Sequence, residues 1–141
     1  MAKKADRKAG PVRNSASGGQ RRKGKISNGA RAFALAAAKI ADGRHCSDIV
    51  ILDLRGKSPA TDYFVIATGT SDRQMRTVAD EICEAARERG LMRFGRAGYD
   101  QARWILLDYV DVVVHIFDSE YREYYDLELL WGDAEKLTID D

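Results

Sequence analysis

The amino-acid sequence predicts an α/β domain in which a five-stranded sheet packs against flanking helices. Two short β-branched and aliphatic runs, at 48–54 and 63–68, are typical of strands that are buried on both faces. A well-capped amphipathic helix follows the second run, at 71–90. Residues 103–118 then have the alternating pattern of a hairpin. Helices and buried strands that alternate in this way favour an α/β architecture.

The composition is that of one globular domain with an appendage. The chain has 141 residues, of which 45% are hydrophobic and 32% are charged. No apolar run approaches the ~20 residues of a membrane span, so an integral membrane protein is not expected. The charged N-terminus lacks the apolar segment of a secretory signal. Two cysteines cannot form a disulfide framework, and they favour a reducing compartment, the cytoplasm.

The charge is divided unevenly along the chain. Residues 1–28 carry nine Lys and Arg against one acid, which gives +8, and residues 29–141 carry −7. The first segment has too few large apolar side chains to offset the entropy of ordering, so a disordered basic arm over 1–28 and a folded domain over 29–141 are predicted. Such an arm suits nucleic acid or an anionic surface. The alternatives are a solubilising tail without a partner and a mitochondrial transit peptide.

The first half of the domain is predicted from periodicity and turn residues. Apolar residues at helical spacing indicate a helix over 30–42, and Gly43 is placed to end it. A turn at 55–59 separates the two buried strands. Ser71 and Gln74 form a capping box that starts the next helix. A short strand near 91–94 follows that helix.

The hairpin is predicted with a two-residue loop at Tyr109 and Val110. In this register Ile105 opposes Val114 and Leu107 opposes Val112, which forms an aliphatic core face. The other face pairs Trp104 with His115 and Asp108 with Asp111, so its turn end is expected to meet solvent or a basic partner. A tight hairpin turn requires positive φ, which β-branched Val110 disfavours.

The C-terminal part is predicted to be helical and then irregular. Ser119 can cap a helix over 120–125, which continues or breaks before 126–131. Gly132 ends the helical segment, and 133–141 is expected to be loose.

Several motifs could carry chemistry, and each has a simpler interpretation. His45 and Cys46 could ligate a metal, but a zinc site needs about four ligands and no others are spaced for it. The turn at 68–71 could hold a phosphate on free amides, or it could be only a cap. Cys83 is interpreted as a core residue, and His115 has no catalytic relay fixed by spacing.

Trp104 is the best candidate for an interface anchor. It shares a strand face with polar residues, so partial exposure is one interpretation. The other is that the final segment covers it with Tyr121, Tyr125 or Trp131.

Five segments together resemble the ribosomal silencing factor (RsfS, iojap-like) family, and the resemblance covers roughly residues 30–133. The segments are 48–56, 61–74, 104–109, 111–117 and 124–133.

The resemblance implies a mixed sheet related to the nucleotidyltransferase fold but without its catalytic carboxylates. It implies a protein that is not an enzyme, has no cofactor, and binds the large ribosomal subunit through the fourteenth large-subunit ribosomal protein. Such a protein blocks joining of the small subunit and represses translation when nutrients are scarce, and it can affect large-subunit biogenesis. Two features depart from the family: Val110 replaces a usual glycine, and the basic arm is longer.

The residues expected to contact the partner lie on the hairpin and the segment after it. Trp104 would be the apolar anchor, and Asp108 and Asp111 would meet Lys or Arg. Arg122 could instead pair with a local acid. The expected contact residues are Trp104, Asp108, Tyr109, Asp111, His115, Arg122, Tyr125 and Asp126.

Other functions remain open on the sequence. The arm could touch ribosomal RNA phosphates. A nucleotidyltransferase would bind nucleotide at 69–71 and depend on Asp108. A homodimer in the free protein would use the same hairpin face on a second copy.

Overall fold

The computed structural model describes residues 23–139, with side chains from Gly29 onward. The predicted disordered arm therefore lies mostly outside the described residues. The elements are α1 (Lys23–Gly43), β1 (Ser47–Asp53), β2 (Tyr63–Gly69), α2 (Asp72–Glu88), β3 (Gly95–Ala97), β4 (Trp104–Asp108), β5 (Val112–Asp118), α3 (Ser119–Tyr125), a 3₁₀ helix (Leu127–Trp131) and β6 (Glu135–Leu137).

The strands form one mixed sheet in the order β3-β4-β5-β2-β1-β6. Strands β2 and β5 are parallel, and the other neighbours are antiparallel. The predicted α/β class is confirmed, but the described sheet has six strands where five were expected. Strand β6 pairs with β1 through three residues, and so short an edge strand leaves no alternating pattern to detect. Strand β3 lies at Gly95–Ala97, after the predicted 91–94.

Helix α1 begins at Lys23, earlier than the predicted residue 30. Among its described side chains, which begin at Gly29, the packed part starts with buried Ala30. Once that part is formed, each residue added toward the N-terminus gains a hydrogen bond at small cost, and no proline stops it. The periodicity of buried side chains therefore locates the packed part of a helix and not its full length.

The main core lies between the sheet and helices α1 and α2. The predicted aliphatic face of the hairpin points into this core, which confirms that assignment. Both helices are held by burial of their apolar stripes, which is the dominant favourable contribution to folding. The large side chains that are fully buried here include Phe33, Tyr63, Met75, Ile82, Ile105 and Leu107.

The hairpin register differs from the prediction by two residues. Trp104 pairs with Phe117 and Leu107 with Val114, so the loop is Val110–Asp111. An even shift leaves every side chain on its predicted face, because side chains alternate with a period of two. The cross-strand pairs Trp104 with His115 and Asp108 with Asp111 were therefore wrong, although the face assignments were right.

Val110 adopts the positive φ that the tight turn requires, although its backbone is strained as a result. The Asp111 N–H donates to the Tyr109 carbonyl over 2.9 Å, which forms a γ-turn centred on Val110. Val110 has φ 73°, in the left-handed region that β-branched residues avoid. The Asp108 carboxylate accepts the Val110 N–H at 2.8 Å and helps to hold this conformation.

The second face of the sheet is covered by α3 and the 3₁₀ helix. Asp118 caps α3 by accepting the Tyr121 N–H at 2.7 Å, so the predicted cap at Ser119 is off by one residue. The helix breaks at Asp126, whose φ is 45°. Residues Glu135–Leu137 form a strand where loose chain was expected.

Candidate functional site

A second, aromatic core lies under α3 and surrounds Trp104. The Trp104 ring stacks on Phe117 with centroids 4.8 Å apart, and Tyr125 covers it at 4.9 Å. Trp104 is therefore only 6% exposed. Of the two interpretations of Trp104, the structure selects the one in which the final segment folds over it.

His115 is tied to Trp104 inside this core. The indole Nε1–H of Trp104 donates to His115 Nδ1 over 3.1 Å. Phe64 packs edge-on against the imidazole with centroids 4.5 Å apart. Because Nδ1 accepts, the proton of the neutral imidazole is on Nε2. The two residues thus join strands β4 and β5 with a specific polar contact.

The two acids at the turn end of the hairpin, Asp108 and Asp111, are buried, whereas the sequence predicted that this end meets solvent or a basic partner. Asp108 is 0% exposed. The carbonyl of Asp111, a buried residue, accepts the N–H groups of Asp62 and Tyr63 at 3.0 Å each. These contacts fasten the hairpin turn to the start of β2.

Tyr109 points to the opposite side of the sheet, into the main core. Its ring packs edge-on against Phe33 with centroids 5.1 Å apart. Burial, together with a hydrogen bond to Cys83, raises the pKa of the Tyr109 phenol. Tyr109 and Trp104 therefore lie in different cores, although the sequence placed both at one interface.

Arg122 fastens α3 and the 3₁₀ helix to the sheet. Its guanidinium donates to Thr68 Oγ1 over 2.9 Å and to the Asp48 carbonyl. It also donates to the Glu128 carboxylate over 3.1 Å. Arg122 therefore pairs with a local acid, which was the alternative to a partner contact.

The exposed part of this region is what we term the C-terminal surface, the exposed side chains of residues 118–135. Its apolar members are Tyr124, Leu129 and Leu130, which are 39%, 60% and 43% exposed. Exposed carboxylates accompany them at Glu120, Glu123, Asp133 and Glu135.

The apolar part of the C-terminal surface was not predicted from the sequence. The available signal was the run Leu-Glu-Leu-Leu-Trp at 127–131, in which apolar side chains outnumber those that one short helical turn can bury. Leu127 takes the buried position and leaves Leu129 and Leu130 outside.

The turn at 69–71 is filled by protein atoms. Ser71 caps α2 by accepting the Gln74 N–H at 3.0 Å, and Gln74 Oε1 in turn accepts the N–H of Thr70. A Cβ at Gly69 would overlap Met75 Cγ, so the backbone and this side chain are in close contact. The geometry thus favours the cap over a phosphate site.

The other motifs show no arrangement for metal chemistry. Cys46 is buried, and burial raises the pKa of its thiol. His45 is exposed, with φ 70°. Within residues 23–139, no three His, Cys, Asp or Glu side chains are grouped so that they could hold a metal ion. Over the same range, no helix is both long enough and apolar enough to cross a membrane.

The fold and the site define a small α/β domain with a mixed sheet that carries an apolar and acidic surface on its C-terminal segment. The chain belongs to the family described as ribosomal silencing factor during starvation, whose family model matches residues 27–141. The resemblance seen in the sequence is thereby confirmed.

Individual relatives agree in sequence and in fold. The chain is 45% identical to the ribosomal silencing factor RsfS of Bacillus subtilis over 104 residues, which cover 74% of this chain and 88% of the relative. A crystal structure from Bacillus halodurans matches with TM-score 0.65 and 35% identity, over 79% of this chain and 98% of that one. One from Chromobacterium violaceum matches with TM-score 0.68 and 31% identity, over 79% and 89%.

Proposed function

We propose that this protein is a ribosomal silencing factor that binds the large ribosomal subunit and prevents the small subunit from joining it. The contact would be to the fourteenth large-subunit ribosomal protein, and the result is repression of translation when nutrients are scarce. Membership of the silencing-factor family is the observation that supports this proposal most strongly. The same binding would also influence large-subunit biogenesis.

The C-terminal surface has the chemistry that such a contact requires. Residues 118–135 contain seven acids and one Arg, so their net charge is −6. Ribosomal proteins are generally basic, and opposite potentials steer association and set the register of docking. Leu129 and Leu130 supply exposed apolar area at the centre of this acidic segment.

The mechanism we propose is steric and involves no reaction. A bound domain occupies the surface that the small subunit needs. The rates at which the protein binds to and leaves the large subunit then determine how strongly subunit joining is inhibited. Some residues that were predicted to contact the partner would instead act by holding α3 in place. Trp104 and Tyr125 pack under α3, and Arg122 fixes it to the sheet. Asp126 breaks α3 and sets the direction of the 3₁₀ helix.

The basic arm adds a second contact in this proposal. Its Lys and Arg side chains would bind phosphates of nearby ribosomal RNA. This binding would release counterions from the RNA. We propose that the protein acts in the cytoplasm, where it would meet ribosomes.

The experiment is a subunit-joining assay on sucrose gradients with purified ribosomal subunits. We expect the unaltered protein to lower the fraction of joined ribosomes in proportion to its concentration. The double variant Leu129→Ala/Leu130→Ala should need at least tenfold more protein for the same effect, since interface anchors typically contribute ~2 kcal/mol or more.

Met92→Ala provides the matched control. Met92 is an apolar side chain that is 86% exposed, and it lies between α2 and β3, away from the C-terminal surface. This variant should inhibit joining like the unaltered protein. Unimpaired joining with the unaltered protein would refute the function, and full inhibition by the double variant would remove the C-terminal surface from the contact.

A further inference from the structure

We propose that the folded domain carries an RNA-binding surface of its own on residues 85–98, which we term the cationic segment. This segment runs from the end of α2 through edge strand β3. Its ligand would be the phosphate backbone of an RNA strand. The affinity for phosphates stands on the side chains of this chain, and the choice of RNA among polyanions rests on the function proposed above.

The cationic segment has the opposite charge to the rest of the domain. It holds four Arg and one acid, which gives +3. Residues 29–141 carry −7 in total, so the remainder of that range carries −10. The C-terminal end of α2 adds a partial charge of only about −0.5. The segment therefore forms a positive surface on an otherwise acidic domain.

Three of the four Arg side chains have their charge available for a ligand. Arg87 pairs with Glu84. Arg89, Arg93 and Arg96 are exposed, and they make no ion pair among the residues whose side chains the structure describes. An exposed guanidinium without a carboxylate partner can direct its N–H donors at an incoming anion.

Arg96 is held in position beside α2. It pairs across the strands with Leu107, whose side chain lies in the main core, so Arg96 projects from the sheet face that carries α2. Its guanidinium lies over the Tyr99 ring, 4.3 Å from the centroid. The Tyr99 hydroxyl donates to the Asp80 carboxylate of α2 over 2.9 Å. Stacking of this kind uses the flat side of the guanidinium and leaves the N–H groups at its edge for a ligand.

Arg93 continues the row along the same helix. Its Nη1 donates to Cys83 Sγ over 3.5 Å. Asp80, Cys83 and Arg87 share one face of α2, because they are spaced at i, i+3 and i+7. Arg96, Arg93 and Arg87 are thus aligned beside a stretch of helix about 10 Å long. A row of this length can contact more than one phosphate of a single strand.

The geometry suits phosphate groups in particular. The planar guanidinium donates two parallel hydrogen bonds to phosphate oxygens, and a side chain that is already stacked loses less rotamer entropy when it does so. The C-terminal surface lies over the other face of the sheet. A large ribosomal subunit offers both basic protein and RNA, so the acidic surface and the cationic segment would bind different components of one partner.

The test is fluorescence anisotropy of a labelled single-stranded RNA of about 12 nucleotides, titrated with the full chain over a series of salt concentrations. The variant is Arg89→Gln/Arg93→Gln/Arg96→Gln. We expect its affinity at low salt to fall roughly tenfold or more, and the slope of log affinity against log salt to fall by about 2, since each phosphate contact contributes about 0.7.

Lys39→Gln/Arg73→Gln/Lys136→Gln is the matched control, because it removes the same charge from exposed cations elsewhere in the domain. It should change the slope by less than about 0.7. The N-terminal arm is the same in both variants, so its contribution to RNA binding does not affect the comparison.

A conservative variant separates charge from folding. Arg93→Lys/Arg96→Lys keeps both charges and loses the planar donor groups, so it should keep the salt slope while binding RNA several-fold more weakly. A loss of slope as large as that of the Gln variant would mean that the substitutions act through the fold, and it would overturn the proposal.

The position of the RNA is measured by ¹⁵N NMR of the unaltered chain with the same oligonucleotide. Amide resonances of 87–97 should move, and those of the 3₁₀ helix at 127–131 should stay in place. Equal salt slopes for the Gln variant and its control, absent shifts at 87–97, or equally tight binding of poly-L-glutamate would each overturn the proposal. These measurements contain no ribosomal subunits, so failure of the silencing function would leave their results unchanged.

Discussion

Trp104 packs against three aromatic side chains in the C-terminal half of the protein. Its ring contacts Phe117, Tyr125 and His115, and its N–H is bonded to His115. A buried aromatic with its polar atom satisfied contributes both apolar burial and geometric specificity. Its effect on any partner would therefore pass through the position of α3.

Trp104→Ala should lower the free energy of unfolding by about 3–5 kcal/mol, because it leaves a large cavity in the aromatic core. Leu129→Ala, at a side chain that is 60% exposed, should change it by no more than about 0.5 kcal/mol. Urea unfolding followed by circular dichroism measures both. A Trp104→Ala protein as stable as the unaltered chain would contradict the burial described above.

Val110 is the most strained residue of the hairpin. Its φ of 73° costs a β-branched residue about 1–3 kcal/mol, and Gly adopts it freely. Gly also raises the entropy of the unfolded chain, which offsets about 0.5–1 kcal/mol. Val110→Gly should therefore raise the unfolding free energy by about 1 kcal/mol, with Val110→Ala in between.

The control for Val110 is the same substitution at Val50, a half-buried β1 residue with ordinary φ. Val50→Gly should destabilise the protein, so the two substitutions should have opposite signs in denaturant unfolding. Destabilisation by Val110→Gly would show that side-chain packing at the turn outweighs backbone strain.

At the scale of elements, the connection from β2 to α2 joins the sheet to the helical layer. The strand ends at Gly69, and Met75 of the first turn of α2 packs directly on that residue. The Ser71 cap sets the start of the helix, and Gln74 also donates to the Arg44 carbonyl at 2.7 Å. One connection therefore positions α2 against both the sheet and the end of α1.

Gly69→Ala should lower the unfolding free energy by about 1–3 kcal/mol, because the added methyl group forces buried Met75 to move. Gly29→Ala is the matched control, since nothing lies within 4 Å of its added Cβ and the residue is inside α1. That change should stabilise the protein by about 0.5–1 kcal/mol. Thermal unfolding of the two variants should show changes in Tm of opposite sign, and an unchanged Tm for Gly69→Ala would contradict the close contact between Gly69 and Met75.

At the scale of the whole molecule, charge is divided unevenly along the chain. The +8 of residues 1–28 and the −7 of the remainder nearly cancel, so net charge alone hides the feature. The joining assay tests one proposed consequence of this division, an acidic docking surface for a basic partner. That binding should weaken as ionic strength rises, since it depends on exposed charges.

Elements whose signals are local could be predicted from the sequence. The cap at Ser71, the buried strands and the alternation of the hairpin faces were all predicted, because each depends on residues close together in the chain. The pairing of six strands, including the three-residue strands β3 and β6, was not predicted. It depends on main-chain hydrogen bonds to partners that are distant in the sequence.

The exposure of the predicted site residues could not be predicted from the sequence, because it depends on how α3 and the 3₁₀ helix pack on the sheet. Trp104, Asp108 and His115 have the residue types of an interface, yet they are buried because α3 and its aromatic side chains fold over the strand face. The exposed apolar side chains are instead those of Leu129 and Leu130, which the short 3₁₀ helix cannot bury. Burial depends on contacts between elements, and those are set by three-dimensional packing rather than by any local pattern of the chain.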